Sequence, residues 1–246
     1  MRLKLKVIEK FFSSLKNSFL HLVYPHQCLH CQEMLDPNEP LFCYSCSCLL
    51  EWINPEERCS RCFSADHTFS RNSSKHCLQK TALIYRQAAA LEYIGPAATL
   101  VKQLKYGNRP YLARGGSALL FAQFDRLKWP LPDAIIPVPL SLTHWLQRGY
   151  NQSALLAENM ANFLNIPVWD VLKRKSGDYS QAGLNLEQRK RLDGKHFKLK
   201  SGYSLEDKVL LLVDDVMTSG STLNRCAEAL AEGVSARIYA LTLCSA

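Results

Sequence analysis

The segment Leu210-Leu211-Leu212-Val213-Asp214-Asp215-Val216-Met217-Thr218-Ser219-Gly220-Ser221-Thr222 narrows most what this chain can fold into. The apolar run over residues 209–213 has no polar alternation, so a strand there is covered on both faces. That calls for a mainly parallel sheet with helices packed on it. Two adjacent acids follow, which places them at the C-terminal end of the strand. Thr, Ser and Gly then lead into a helix expected over residues 221–231. Ligands of open α/β sheets bind at that edge of the sheet. Small residues let backbone N–H groups approach a phosphate, and a helix N-terminus adds favourable polarity. The hydroxyls of Thr218, Ser219, Ser221 and Thr222 can donate further bonds. The carboxylates of Asp214 and Asp215 can accept bonds from the vicinal hydroxyls of a ribose. No G-x-G-x-x-G and no G-K-[ST] occurs here, which excludes the common dinucleotide and P-loop readings.

The flanking sequence agrees with an α/β unit, and 47% apolar residues suffice for a sizeable core. Residues 82–94 read as a strand. Pro96 opens a helix to Tyr106 with Gly107 past its end. Residues 110–127 read as a second helix, 134–138 as a short buried strand and 236–243 as a closing strand. A helix over 151–164 carries Leu155, Leu156, Met160 and Phe163 on its apolar side. Three regions result: an amphipathic lead-in at 1–24, a Cys-rich region at 25–80 and the α/β domain at 81–246.

Eight of the ten cysteines lie between Cys28 and Cys77, mostly as C-x-x-C pairs, which is metal-site rather than disulfide spacing. Cys28-x2-Cys31-x11-Cys43-x2-Cys46 can place four thiolates around a structural Zn²⁺, with Cys48 able to stand in for Cys46. Cys59-x2-Cys62 starts a second pattern, followed by Cys77, with Ser74 where a further Cys would stand. His67 or His76 could supply a fourth ligand for a second zinc. Thiols held this way indicate a reducing, cytoplasmic compartment.

The N-terminus spaces Ile8, Phe11, Phe12, Leu15, Phe19, Leu22 and Val23 as a helix face, with Lys10 and Lys16 between. Two readings stand: a helix packed on the protein itself, or peripheral contact with a membrane or a partner. No apolar run reaches the ~20 residues of a membrane span. Net charge is +8, and the 28 residues 173–200 hold nine Lys/Arg against three Asp/Glu. This excess suits a lid over a polyphosphate or a groove for single-stranded DNA. Only Tyr179 and Phe197 interleave as aromatics there. Arg148, next to Gly149 and just before a helix, can fork across two pyrophosphate oxygens. Lys102 and Lys105 share a helix face and can add charge. Residues 173–175 and Arg189, Lys190 and Arg191 can close over an anionic ligand. His144 stands near enough in sequence to lie by the site or to be structural. No nucleophile–base pair and no acceptor pocket is legible.

The segment 210–222 resembles the motif by which type I phosphoribosyltransferases bind 5-phosphoribosyl-1-pyrophosphate (PRPP). The resemblance implies that Asp214 and Asp215 contact the ribose hydroxyls and that Thr218, Ser219, Gly220, Ser221 and Thr222 cradle the 5-phosphate, with Mg²⁺ at the pyrophosphate. Together with Cys28-Leu29-His30-Cys31, Ile136-Pro137-Val138-Pro139-Leu140 and Arg148-Gly149-Tyr150-Asn151-Gln152, the chain resembles the ComF (ComFC, GntX-like) family of bacterial competence-associated proteins. Gln181 with Arg189-Lys190-Arg191 resembles that family's flexible-loop region. The family joins a zinc ribbon to a phosphoribosyltransferase-like domain. Membership implies a role in DNA uptake and transformation. Three functions follow as expectations: PRPP-dependent transfer to an unknown acceptor, non-catalytic binding of single-stranded DNA with the uptake machinery, or PRPP sensing.

Overall fold

A computed structural model describes residues 27–36, 41–59, 61–65, 83–174, 197–232 and 235–246. The lead-in at 1–24, His67, His76, Cys77, Gln181 and Arg189, Lys190 and Arg191 lie outside the described residues. The chain divides into two compact units, Met1–Leu49 and Leu50–Ala246.

In the first unit, a tight turn follows Cys28: Gln32 N donates to Cys28 O at 3.0 Å and Cys28 N to Glu33 O at 2.7 Å. Gln32 accepts a left-handed φ of 65° to close it. Helix α1 (Tyr44–Cys48) then buries Cys46.

The second unit is built on four parallel strands. In chain order they are β1 (Ile84–Glu92), β2 (Ala134–Pro137), β5 (Val209–Met217) and β6 (Arg237–Ser245), in the spatial order β1-β6-β5-β2. Helices α2 (Gly95–Tyr106) and α3 (Leu112–Leu127) connect β1 to β2, and α4 (Leu142–Arg148) and α5 (Gln152–Leu164) follow β2. A small antiparallel pair, β3 (Leu172–Arg174) with β4 (Phe197–Leu199), precedes β5, and α6 (Ser221–Leu230) joins β5 to β6. Leu210, Leu211, Leu212 and Val213 are wholly buried, as an unalternated apolar strand requires. Layers fit closely at Gly116 of α3, where a Cβ would come within 3.0 Å of Leu156 Cδ2 and 3.3 Å of Leu243 Cδ2.

Three differences from the sequence reading have physical causes. Phe163 is exposed, because α5 turns the smaller Ala157 and Ala161 with Leu156 and Met160 toward the core. The acids lie inside β5 rather than at its end, because β6 continues to pair with it as far as Met217↔Ser245. Residues 51–65 pack on the α/β unit. Trp52 bridges Leu91, Ile53 N donates to Ala90 O at 3.0 Å, and buried Gln123 donates to Ile53 O at 3.0 Å and Ala89 O at 2.9 Å. They thereby cover the outer edge of β1, which a lone parallel sheet would leave unpaired. The expected boundary at 80/81 itself falls outside the described residues.

Candidate functional site

The sheet opens at the acids. Strand β2 stops at Pro137 opposite Val213, whereas β6 accompanies β5 to Met217. From Asp214 onward β5 therefore lacks a strand on its β2 flank. Successive side chains of a strand leave on opposite faces, so the two acids find separate partners. Asp214 Oδ1 accepts from Ser153 Oγ at 2.7 Å and from Asp215 N at 2.9 Å. Burial, and next the charge of Asp215, push its carboxyl up to about 7. Asp215 is 3% exposed. Its Oδ1 pairs with Lys105 Nζ at 2.7 Å, and its Oδ2 is buried without a hydrogen-bond partner.

Ser153 is held in place by the start of α5. Asn151 caps this helix, accepting from Ser153 N at 3.0 Å, while its Nδ2 ties the cap to Val138 O beyond β2. Nothing singled out Ser153 in sequence, although it stands directly after the Arg148-Gly149-Tyr150-Asn151-Gln152 motif.

Beyond β5, Thr218 and Ser219 are exposed and Gly220 takes φ 70°, a left-handed turn that suits glycine. Ser221, with Thr222 exposed beside it, starts α6. Ser219 Oγ lies 2.7 Å from Ser221 Oγ and accepts from Ser221 N at 3.4 Å. The strand, hydroxylated loop and helix expected from sequence are present in that order.

Cations gather where α2 and α4 end. Short α4 begins under the Ser141 cap and ends at Gly149, φ 75°, which aims Arg148. Arg148 donates to Gln152 Oε1 at 3.0 Å, and its guanidinium sits 5.1 Å from the Tyr106 ring centroid. A cavity of about 410 Å³ brings Lys105, Tyr106, Asn108, Arg148, Gly149 and Tyr150 together. Lys105 thus reaches from the cavity to Asp215. Lys102, one turn earlier on α2, is exposed. Exposed His144 is held below its ordinary value by desolvation, then by the positive charges of Arg148, Arg174 and Lys105.

The loop borders a second cavity, of about 520 Å³, that the sequence reading missed. Met217, Thr218, Ser219 and Ser221 form one wall and Cys62, Phe63, Ser64 and Ala65 another. Gln87 Nε2 pins this second wall by donating to Cys62 O at 2.7 Å. The wall is a knuckle with the backbone of the first unit's Cys28 turn. Phe63 N donates to Cys59 O at 2.9 Å, Cys59 N donates to Ser64 O at 3.0 Å, and Phe63 has φ 59°.

In the first unit Cys28, Cys31, Cys43 and Cys46 bring their sulfurs within 4.8 Å of one another. Cys31 and Cys43 Sγ stand 3.6 Å apart. Tetrahedral Zn–S bonds of about 2.3 Å set sulfurs about 3.8 Å apart, so the cluster could bind a structural zinc. Burial raises the Cys28 thiol, but backbone N–H groups of Cys31, Cys43 and His30 outweigh it and hold it at about 6. Exposed Cys48 is outside the cluster, which removes it as a substitute for Cys46.

The Phosphoribosyl transferase domain family matches residues 151–246. Competence protein F of Haemophilus influenzae is 30% identical over 83% of this chain and 90% of its own length. DNA utilization protein YhgH of Salmonella typhi is 35% identical over 68% and 75%. Competence protein ComFC of Streptococcus pneumoniae is 27% identical over 70% and 81%. With a four-cysteine cluster ahead of a parallel α/β sheet of phosphoribosyltransferase type, the chain belongs to the ComF competence-protein family.

Proposed function

We propose that this chain binds PRPP with Mg²⁺ in a crevice at Asp214 and Asp215, where β5 runs on past β2, and uses it as a phosphoribosyltransferase in DNA uptake and utilisation. One observation carries the reading. Asp215 is almost wholly buried, yet only one of its oxygens is paired. An unpaired buried carboxylate oxygen is costly, and a ribose hydroxyl would satisfy it. Asp214 would accept from the neighbouring hydroxyl. Thr218, Ser219, Gly220, Ser221 and Thr222 would hold the 5-phosphate, and Lys105 and Arg148 the pyrophosphate. Mg²⁺, when bound, would neutralise charge on the leaving pyrophosphate. In transfer, an acceptor atom bonds to the anomeric carbon as the C1–O bond to pyrophosphate breaks, so no protein nucleophile is needed. The cavity of about 520 Å³ beside the loop has room for such an acceptor. The relatives named for competence and DNA utilization support the biological role.

The zinc held by Cys28, Cys31, Cys43 and Cys46 would be structural. The knuckle at Cys59 and Cys62 supports a second zinc, completed by Cys77 and either His67 or His76. The stretch proposed as a lid or as a single-strand groove lies mostly outside the described residues; its ends form β3 and β4.

The test is thermal. PRPP with Mg²⁺ should raise the melting midpoint of the full chain, and Asp214→Ala/Asp215→Ala should abolish the rise. An unchanged midpoint in wild type at millimolar ligand would remove the assignment. Pyrophosphate release on adding candidate acceptors then separates a transferase from a sensor.

A further inference from the structure

At the other end of the sheet the strand starts enclose a cleft of about 850 Å³, lined by Arg61, Tyr85, Arg86, Asp207 and Arg237 among others. Along β5 it is separated from Asp214 by the run from Val209, which lines the cleft, roughly 17 Å at ordinary strand rise. PRPP held at Asp214 and Asp215 does not extend to it.

Two features single this cleft out. The first is a bulge in β1: Ile84 pairs with Ile238 and Arg86 with Tyr239, so Tyr85 is the extra residue. Bulges re-aim side chains and gather near functional sites. This one turns Tyr85 out of the ladder and leaves it 48% exposed. The second is the charge. The guanidiniums of Arg86 and Arg237 lie 5.6 Å and 5.2 Å from the Tyr85 ring centroid. Tyr239 braces that ring edge-on at 5.4 Å. The ring therefore positions both cations. Among the described residues none of the three arginines forms an ion pair, and Asp207 is the one acid among the lining residues. The guanidiniums of Arg86 and Arg237, held at the Tyr85 ring, and Arg61 beside them outnumber the single carboxylate of Asp207, and phosphate oxygens match such an excess because each fork can bridge two of them. A half-exposed tyrosine beside them offers a stacking surface for a base.

We propose that this cleft binds a nucleotide unit, its phosphates on Arg61, Arg86 and Arg237 and its base against Tyr85. The unit can come from a free nucleotide or from a single strand of nucleic acid, and one experiment separates them. A labelled deoxythymidylate decamer is titrated with the full chain by fluorescence anisotropy at several KCl concentrations, with thymidine monophosphate as competitor. Arg61→Ala/Arg86→Ala/Arg237→Ala should weaken binding at least tenfold. Three phosphate contacts correspond to a logarithmic salt slope of about −2, and the triple variant should lose it. Tyr85→Ala should weaken binding and leave the slope unchanged. A decamer that binds at least tenfold tighter than the monophosphate identifies a strand; equal competition identifies the free nucleotide. The melting response to PRPP should survive in all variants, which keeps this result independent of the crevice. If the triple variant fails to fold, the single variants Arg237→Gln and Tyr85→Ala must each weaken binding. Wild-type affinity in the folded variants, or no binding of either probe to wild type, overturns the proposal.

Discussion

Asp214 and Asp215 are adjacent in sequence but differ in chemistry. Asp215 is paired with Lys105 on one oxygen and unpaired on the other. Lys105→Met should therefore leave a buried carboxylate with no cation, costing about 3 kcal/mol in urea denaturation and abolishing the melting response to PRPP. Asp214 titrates at about 7 because burial and then Asp215 disfavour its charge. Its unfolded value is about 4, so between those values the folded chain holds the extra proton and stability falls as pH rises through the window. Asp214→Asn should flatten that fall, read as melting midpoint against pH from 5 to 8. A ribose hydroxyl donates more strongly to the ionised form than to the acid. PRPP affinity should therefore drop about tenfold per pH unit below about 7, with proton uptake by the buffer detectable in calorimetry. Both acids were legible in the sequence, since they follow an apolar run. Their separate partners were not, because Ser153 and Lys105 reach them only through the packing of α5 and α2.

At the level of elements, periodicity carried most of the reading. The helices α2, α3, α5 and α6 and the four parallel strands all follow from apolar spacing and from Pro and Gly punctuation. What escaped it was decided by neighbours. Strand β5 runs past its own apolar stretch because β6 lends it backbone partners through Ser245. Helix α4 buries none of its residues, so no apolar stripe announced it. Phe163 reads as core by type, yet on α5 it packs against Phe121, their ring centroids 5.8 Å apart, on an exposed flank. Gln123 sits at zero exposure within α3, where pattern reading expects an apolar residue. It holds Ile53 and Ala89 carbonyls together across the edge of β1. Gln123→Ala should strip both, costing about 2–4 kcal/mol and freeing residues 51–53, visible as faster amide exchange at Ile53.

For the whole molecule, the division at Leu49/Leu50 puts the four-cysteine cluster in one unit and Asp214 and Asp215 in the other. Cysteine spacing alone predicted the cluster, because tetrahedral thiolate ligation leaves a regular signature. The cavity at Lys105 and Arg148, the cavity beside the 218–222 loop and the arginine cleft left none, since each is assembled from distant segments. If the cluster is structural, Cys28→Ala/Cys46→Ala should lower zinc content by one equivalent per chain, measured by metal analysis, and should leave PRPP-dependent stabilisation of the second unit in place. In the function proposed above, the unsatisfied carboxylate of Asp215 takes up a ribose hydroxyl of PRPP. Isothermal titration of PRPP with Mg²⁺ into the full chain measures this binding. One-site saturable binding in wild type, lost in Asp214→Ala/Asp215→Ala, is the predicted result. No binding heat in wild type, or equal affinity in the variant, would contradict it.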